Sequence, residues 1–278
     1  MLEIDDAITI DVGLAHGCAV RSTGEVWCWG YRTFGQTGYG TFGNSSPAWA
    51  QPTPLPVPDI TDAVDVLCVH RSTCVLRGPM GARYVSCFGD NTHGIVGDGT
   101  TTGVGGPDTR VAGVPADAMA FADSSAQLAN ACVLTSVGGV HCWGDNNNAS
   151  LGVGSGASSI VRSATPIAGL PPVVEVALGN YAGCARTASG EVYCWGHQIA
   201  GLSWIDGVAT GTRFTPMRAG TTARPIDDAV AITVGTYRWC AARASGGMVC
   251  MGSDETGALG DGEPLSNVSE PTDVLGLD

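Results

Sequence analysis

The chain has 278 residues, of which 44% are hydrophobic, so it can bury the core of one large all-β domain or of two ordinary domains. Its formal net charge is −13 and its 13 basic residues are all arginines scattered along the sequence; because phosphate binding needs a concentrated basic surface, we predict no nucleic-acid partner. No apolar run reaches the length of a membrane-spanning helix, so we predict no membrane insertion.

Five copies of one unit follow each other along the chain. Each copy has a cysteine, a short strand, a turn and a second short strand that ends in Cys-Trp-Gly or a close variant. Internal repeats of this length are typical of propellers and arrays. We predict one domain over residues 1–278, with approximate repeats at 4–57, 58–112, 113–168, 169–218 and 219–277.

Four strand-like pieces are visible in each copy. An apolar run precedes the first cysteine, at 7–12, 63–69, 118–122, 173–178 and 229–234. The two cysteine strands follow, and a glycine-rich loop then leads to a last strand that we expect to open with a proline: Pro54, Pro107, Pro166, Pro216 and Pro271. Four strands repeated radially are the plan of a propeller blade, and no segment shows helical periodicity. We therefore predict an all-β propeller of four-stranded antiparallel blades.

The copies resemble the regulator-of-chromosome-condensation repeat. The family motif is visible in the first copy as Gly13, His16, Ala19, Gly24, Val26, Trp29 and Gly30. This resemblance covers nearly the whole chain, is closest to a bacterial, cysteine-paired type, and implies a propeller of four-stranded blades. Related repeats serve as exchange factors, chromatin binders and a secreted β-lactamase inhibitor, which all hold one face against a protein.

The two ends of the chain match each other. Residues 4–13 closely resemble residues 226–235, and the last proline strand resembles those that precede such a segment elsewhere. We therefore expect five blades, closed by strands from both termini that complete one blade. The alternative is a fragment of a longer array, since the best-known family members have seven blades.

The cysteines occur in facing pairs. In four copies the pair is ten residues apart, with a glycine at the third position of a three-residue hairpin loop, where a left-handed residue is needed. This register places the two cysteines opposite each other, within reach of a disulfide. The predicted disulfides are Cys18–Cys28, Cys74–Cys87, Cys132–Cys142, Cys184–Cys194 and Cys240–Cys250. The alternative is ten small buried residues; the spacing does not favour zinc.

Cys68 has no partner in this scheme, so we predict a buried free thiol. Persistent disulfides point to an oxidising compartment. We therefore expect a secreted, periplasmic or cell-surface protein whose signal peptide is not in this sequence.

Residues that differ between copies are the candidate binding residues. Aromatic and arginine side chains on loops are typical binding anchors, although each could instead pack beneath its own loop. The candidates are Tyr31, Arg32, Phe34 and Trp49 in copy one, His197 and Trp204 in copy four, and Arg238 and Trp239 in copy five.

No catalytic signature is present: the sequence lacks a nucleophile elbow, a phosphate loop and a zinc-protease motif. We predict no catalytic residue, no cofactor and no metal. The predicted function is an extracytoplasmic, monomeric propeller that binds a protein or acts as a scaffold through loops on one face. The alternatives are a lyase or hydrolase with its site at the centre of the ring, and a structural module of a larger surface protein.

Overall fold

A computed structural model describes residues 4–39, 49–102, 104–124, 127–198, 211–220, 224–263 and 268–276. The described residues form strands, turns and loops without a helix, and therefore no helix that could cross a membrane. The chain divides into two compact units: Met1–Ser136 with His141–Asp145 and Ile160–Thr165, and Val137–Val140 with Asn146–Ser159 and Pro166–Asp278.

The first unit contains three sheets, each built from consecutive strands. Sheet 1 contains β1 (Ala7–Val12), β2 (His16–Arg21), β3 (Val26–Tyr31) and β4 (Ala50–Pro56). Sheet 2 contains β5 (Ala63–Val69), β6 (Ser72–Arg77), β7 (Tyr84–Asp90) and β8 (Val104–Gly105). Sheet 3 contains β9 (Ala118–Phe121), β11 (Asn130–Thr135), β12 (Val140–Asp145) and β13 (Ile160–Pro166). The short strand β10 (Asp123–Ser124) lies between β9 and β11 in the sequence and is not part of this sheet.

The second unit contains two further meanders of the same kind. Sheet 4 contains β14 (Val173–Leu178), β15 (Ala182–Thr187), β16 (Val192–Gln198) and β17 (Gly211–Arg218). Sheet 5 contains β18 (Ala229–Val234), β19 (Arg238–Arg243), β20 (Met248–Gly252) and β21 (Val268–Asp273). The prediction that each copy forms a four-stranded antiparallel meander is confirmed.

The predicted hairpin register is also confirmed. Cys18 lies opposite Cys28, and the other four pairs face each other in the same way, with Cα atoms 4.1 Å apart and sulfur atoms at disulfide distance. The turn glycines have positive φ, for example 81° at Gly24, as a three-residue loop requires. Each disulfide therefore joins the two central strands of its own sheet.

The prediction that a proline opens each last strand is wrong. Pro54, Pro216 and Pro271 lie inside β4, β17 and β21, where the ladder to the neighbouring strand shifts register, and Pro166 ends β13. Pro107 follows β8. These strands lie at sheet edges, where a proline is tolerated because the N–H that it lacks would not be needed to pair with a neighbouring strand.

The predicted closure of one blade by strands from both termini is not confirmed among the described strands. β1 pairs with β2 in sheet 1, and β21 pairs with β20 in sheet 5. The reason is that each proline strand binds the cysteine hairpin that precedes it, so every copy supplies all four strands of its own sheet.

The last glycine of each Cys-Trp-Gly motif allows a close backbone approach. Gly30 has φ of 102°, and a Cβ there would lie 2.6 Å from the carbonyl oxygen of Ala15. The corresponding glycines, Gly89, Gly144, Gly196 and Gly252, also have positive φ and face an equivalent carbonyl. Only glycine combines this φ with this contact.

The motif tryptophans tie a sheet to the loop of the preceding copy. Trp143 and Trp195 are fully buried, and their indole N–H groups donate to the carbonyls of Ile95 and Ser150, over 2.8 and 2.7 Å. Copy two has Phe88 at this position, which offers no donor. Thr73, which faces Phe88, donates instead to the corresponding loop carbonyl, that of Gln36, over 2.7 Å.

Carboxylates in the first strands provide a second tie between neighbouring sheets. Asp11 accepts the backbone N–H of Cys68 over 2.6 Å, and Asp65 accepts that of Phe121 over 2.9 Å. In the second unit, Glu175 accepts the N–H of Ile232 over 3.1 Å. Burial raises the pKa of both Asp11 and Asp65. The sequence analysis missed these acidic residues, which occupy alternate positions in otherwise apolar strands.

Candidate protein-binding surface

A contiguous row of side chains, all partly exposed except the buried Asp145, crosses all three sheets of the first unit. Its members come from loops and strand ends that the sequence separates by up to 114 positions. We call it the aromatic–histidine strip, and its residues are Trp49, Tyr31, Phe34, Arg71, His70, His93 and Asp145.

The aromatic end of the strip is built around Tyr31 at the end of β3. The Tyr31 ring lies 6.1 Å from the ring of Phe34 and 6.1 Å from that of Trp49, between ring centroids. Trp49 is 43% exposed, and its carbonyl accepts the N–H of Arg32 over 3.0 Å. Tilted aromatic groups of this kind offer a large apolar contact area at low entropic cost.

Arg71 joins the aromatic end to the histidine end. Its guanidinium lies 4.5 Å from the centroid of Phe34, a cation–π distance. Arg71 and His70 form the two-residue turn between β5 and β6, in which Val69 pairs with Ser72. His70 has φ of 46°, as tight hairpin turns require. The turn therefore places the large side chains of His70 and Arg71 at one end of sheet 2.

The histidine end joins sheet 2 to sheet 3. The ring of His70 meets that of His93 edge-on, with centroids 5.9 Å apart. Nε2 of His93 lies 3.9 Å from a carboxylate oxygen of Asp145, which follows the motif glycine Gly144. Burial lowers the pKa of His70, and the neighbouring Arg71 cation lowers it further. The imidazole of His70 is therefore neutral at pH 7.

The structure brings together four of the predicted binding residues: Tyr31, Arg32, Phe34 and Trp49. Arg32 belongs to the rim of the strip, and its guanidinium donates to the side-chain carbonyl of Gln51 over 3.2 Å. Tyr31, Phe34 and Trp49 pack against one another and remain partly exposed, and their role in binding stays a prediction.

The predicted residues of copies four and five lie in the second unit. His197 lies 6.4 Å from the ring of Tyr181, which stacks on Tyr237 at 5.0 Å. Arg238 begins β19 and is partly buried. Trp204 lies outside the described residues.

The prediction that Trp239 is a binding anchor is wrong for this structure. Its side chain is 1% exposed and packs in the core of the second unit. The residue facing it, Met251, occupies the position of the motif tryptophan. In copy four, by contrast, Trp195 faces Gly183. In copy five the tryptophan therefore lies on β19 instead of β20. Trp239 fills the volume that the motif tryptophan fills in other copies.

Sequence reasoning missed His70, Arg71, His93 and Asp145. A signal for three of them exists in the alignment of the copies. Asp145 follows the motif glycine, as Tyr31 does, and His70 and Arg71 precede the second strand of their copy, as Tyr181 and Tyr237 do. Both positions lie at the same end of every sheet, since Gly30 pairs with His16 and Gly89 with Ser72.

Known proteins show what this arrangement resembles. The sequence profile of the regulator of chromosome condensation (RCC1) repeat matches residues 7–36 and 173–198. The E3 ubiquitin-protein ligase HERC2 of Homo sapiens is 29% identical over 197 residues, as is that of Mus musculus. This match spans 67% of the chain but only 4% of the length of the ligase.

Solved structures establish the fold. Human WBSCR16 superposes with a TM-score of 0.74 at 19% identity, over 96% of this chain and 67% of that one. Yeast RCC1 (Prp20), solved with Kap60, gives 0.72 at 20% identity, over 96% and 61%. Prp20p of Saccharomyces cerevisiae, described with its binding to Gsp1p and histones, gives 0.71 at 19%, over 96% and 63%. The chain is an all-β propeller protein, and two of its copies match the sequence profile of the regulator-of-chromosome-condensation repeat.

Proposed function

We propose that this protein is an extracytoplasmic binding module that holds a protein partner against the aromatic–histidine strip. The observation that carries the proposal is the aromatic end of the strip: three aromatic rings and an arginine, joined by successive contacts and partly exposed, at one end of sheets 1 and 2. Tyrosine, tryptophan and arginine are the residue types enriched among binding hot spots.

Relatives of the same fold support a protein as the partner. The yeast protein RCC1 (Prp20) was solved in a complex with Kap60, and Prp20p binds Gsp1p and histones. The net charge of −13 disfavours nucleic acid as the partner here. The five cysteine pairs at disulfide distance favour an oxidising compartment.

Site-specific photo-crosslinking tests the proposal in the native host. A photoreactive phenylalanine analogue replaces Trp49 in one variant and Met80 in the other. Met80 is a matched control because it is a large hydrophobic residue of the same unit that is 55% exposed. We expect the Trp49 variant to capture one protein and the Met80 variant to capture none. Equal capture from both positions would contradict a specific surface.

Affinity measurements with the captured protein then test the individual contacts. We expect Phe34→Ala and Arg71→Ala each to cost on the order of 2 kcal/mol, which is roughly a 30-fold rise in Kd. Met80→Ala is expected to leave Kd unchanged. Retention of wild-type affinity by both strip variants, with circular dichroism spectra like that of the wild type, would rule out the strip as the interface.

A further inference from the structure

Three potential metal-donor groups meet between sheets 1 and 2 of the first unit. His16 and Cys18 belong to β2, and Cys68 belongs to β5. A ring nitrogen of His16 and the two sulfur atoms all lie within 4.8 Å of one another. All three residues are buried, with exposures of 5%, 0% and 2%. Cys68 is the free thiol of the chain, whereas Cys18 is bonded to Cys28.

Hydrogen bonding fixes the tautomer of His16. The hydroxyl of Thr73 has one proton, which it donates to the carbonyl of Gln36 over 2.7 Å. The same oxygen lies 2.9 Å from Nε2 of His16, so it must accept a proton from that nitrogen. Nε2 therefore carries the ring proton, and Nδ1 presents a lone pair.

The lone pair of Nδ1 has no hydrogen-bond donor. Nδ1 is buried and lacks a partner, although buried polar atoms are nearly always satisfied. A histidine that binds a metal through one nitrogen usually donates a hydrogen bond from the other, as His16 does to Thr73.

We propose that His16 and Cys68 bind one soft monovalent cation of the copper(I) class, with the Cys18 sulfur as a weak third donor. The thiolate and the imidazole suit copper(I), and a disulfide sulfur is a neutral, soft atom comparable to the weak thioether ligand of other copper sites. A structural zinc ion would need four strong donors, which the oxidised protein does not offer here.

Binding exchanges a proton for the cation. The S–H bond of Cys68 breaks, its proton leaves to solvent, and a sulfur–copper bond forms without a change in oxidation state. Because the cation and the proton compete for the same sulfur, affinity is expected to rise with pH. Because the donors are buried, loading requires local opening and is expected to be slow.

The experiment uses the disulfide-intact protein and copper(I) supplied anaerobically in a bicinchoninate complex. We expect native mass spectrometry to show one copper per chain after prolonged incubation. Cys68→Ser and His16→Gln should abolish this binding, and Thr73→Val should weaken it about 10–100-fold because it removes the outer hydrogen bond. His141→Gln, at a histidine outside the group, is the matched control and should bind as the wild type does.

A second measurement does not depend on the variants folding. X-ray absorption at the copper edge of the loaded wild type should show both sulfur and nitrogen donors. Absence of bound copper, equal binding by the Cys68→Ser variant, or a copper site with nitrogen and oxygen donors alone would each overturn the proposal.

Discussion

In copy five the buried indole belongs to Trp239 on β19, whereas the motif tryptophan of other copies lies on the next strand. This difference leads to a quantitative prediction. Replacing Trp239 by alanine removes a fully buried ring from the core of the second unit, and such truncations cost roughly 3–5 kcal/mol of unfolding free energy. For chains of this size each kcal/mol lowers Tm by about 2–4 °C, so we expect a fall of roughly 6–20 °C. Met251→Trp alone overpacks the site and should cost about 1–3 kcal/mol.

The double variant Trp239→Ala/Met251→Trp recreates the arrangement of copy three, in which alanine at 131 and tryptophan at 143 occupy the corresponding positions. The two changes lie on facing residues, so they should couple by up to about 3 kcal/mol in the favourable direction. We expect thermal unfolding, followed by far-ultraviolet circular dichroism, to recover at least half of the lost Tm. A double variant no more stable than Trp239→Ala would refute the idea that the two positions share one volume.

Three further predictions concern acidity, cysteines and a glycine. Burial raises the folded-state pKa of Asp65 above its ordinary 3.8, so its stabilising contribution is complete below pH 3.8 and is lost as pH rises through the folded value. Denaturant titrations should accordingly show wild type losing stability relative to Asp65→Asn as pH rises, and a constant difference would contradict this. Alkylation of unreduced, denatured protein should label Cys68 alone; eleven labels in protein secreted into an oxidising compartment would remove the basis of the localisation proposal. Gly89→Ala should cost about 1–3 kcal/mol because its Cβ would lie 2.5 Å from a backbone carbonyl. The control is Gly246→Ala, whose φ of 101° is close to the 117° of Gly89 and whose Cβ would meet open space; equal costs would show that the contact is unimportant.

Regular local patterns explain why much of the fold could be predicted. Four of the five apolar runs became strands with the predicted bounds, and in the third copy β9 ends one residue earlier than predicted. The cysteine register followed from a hairpin whose loop length and glycine leave one antiparallel alignment. The edge strands were harder to predict, because their prolines lie at register shifts rather than at strand starts.

The candidate site could be predicted only in part. Tyr31, Phe34 and Trp49 are close in sequence and were found together as an aromatic-rich loop. His93 and Asp145 are 52 positions apart, and only the packing of sheet 3 beside sheet 2 brings their side chains within 4 Å. Trp239 was predicted to be an anchor because it stands with Tyr237 and Arg238 just before the cysteine of copy five, but its position in the strand turns it inward.

By itself the sequence determined the features that depend on spacing within one copy: the strand order, the cysteine register and the turns that need glycine. Tertiary structure alone decided which side chains from different copies meet. The approach of a His16 ring nitrogen to the Cys68 sulfur and the row from Trp49 to Asp145 both arise where one sheet packs on the next. The physical reason is that hairpin geometry is set by a few consecutive dihedral angles, whereas contacts between copies depend on how whole sheets pack, to which every buried side chain contributes.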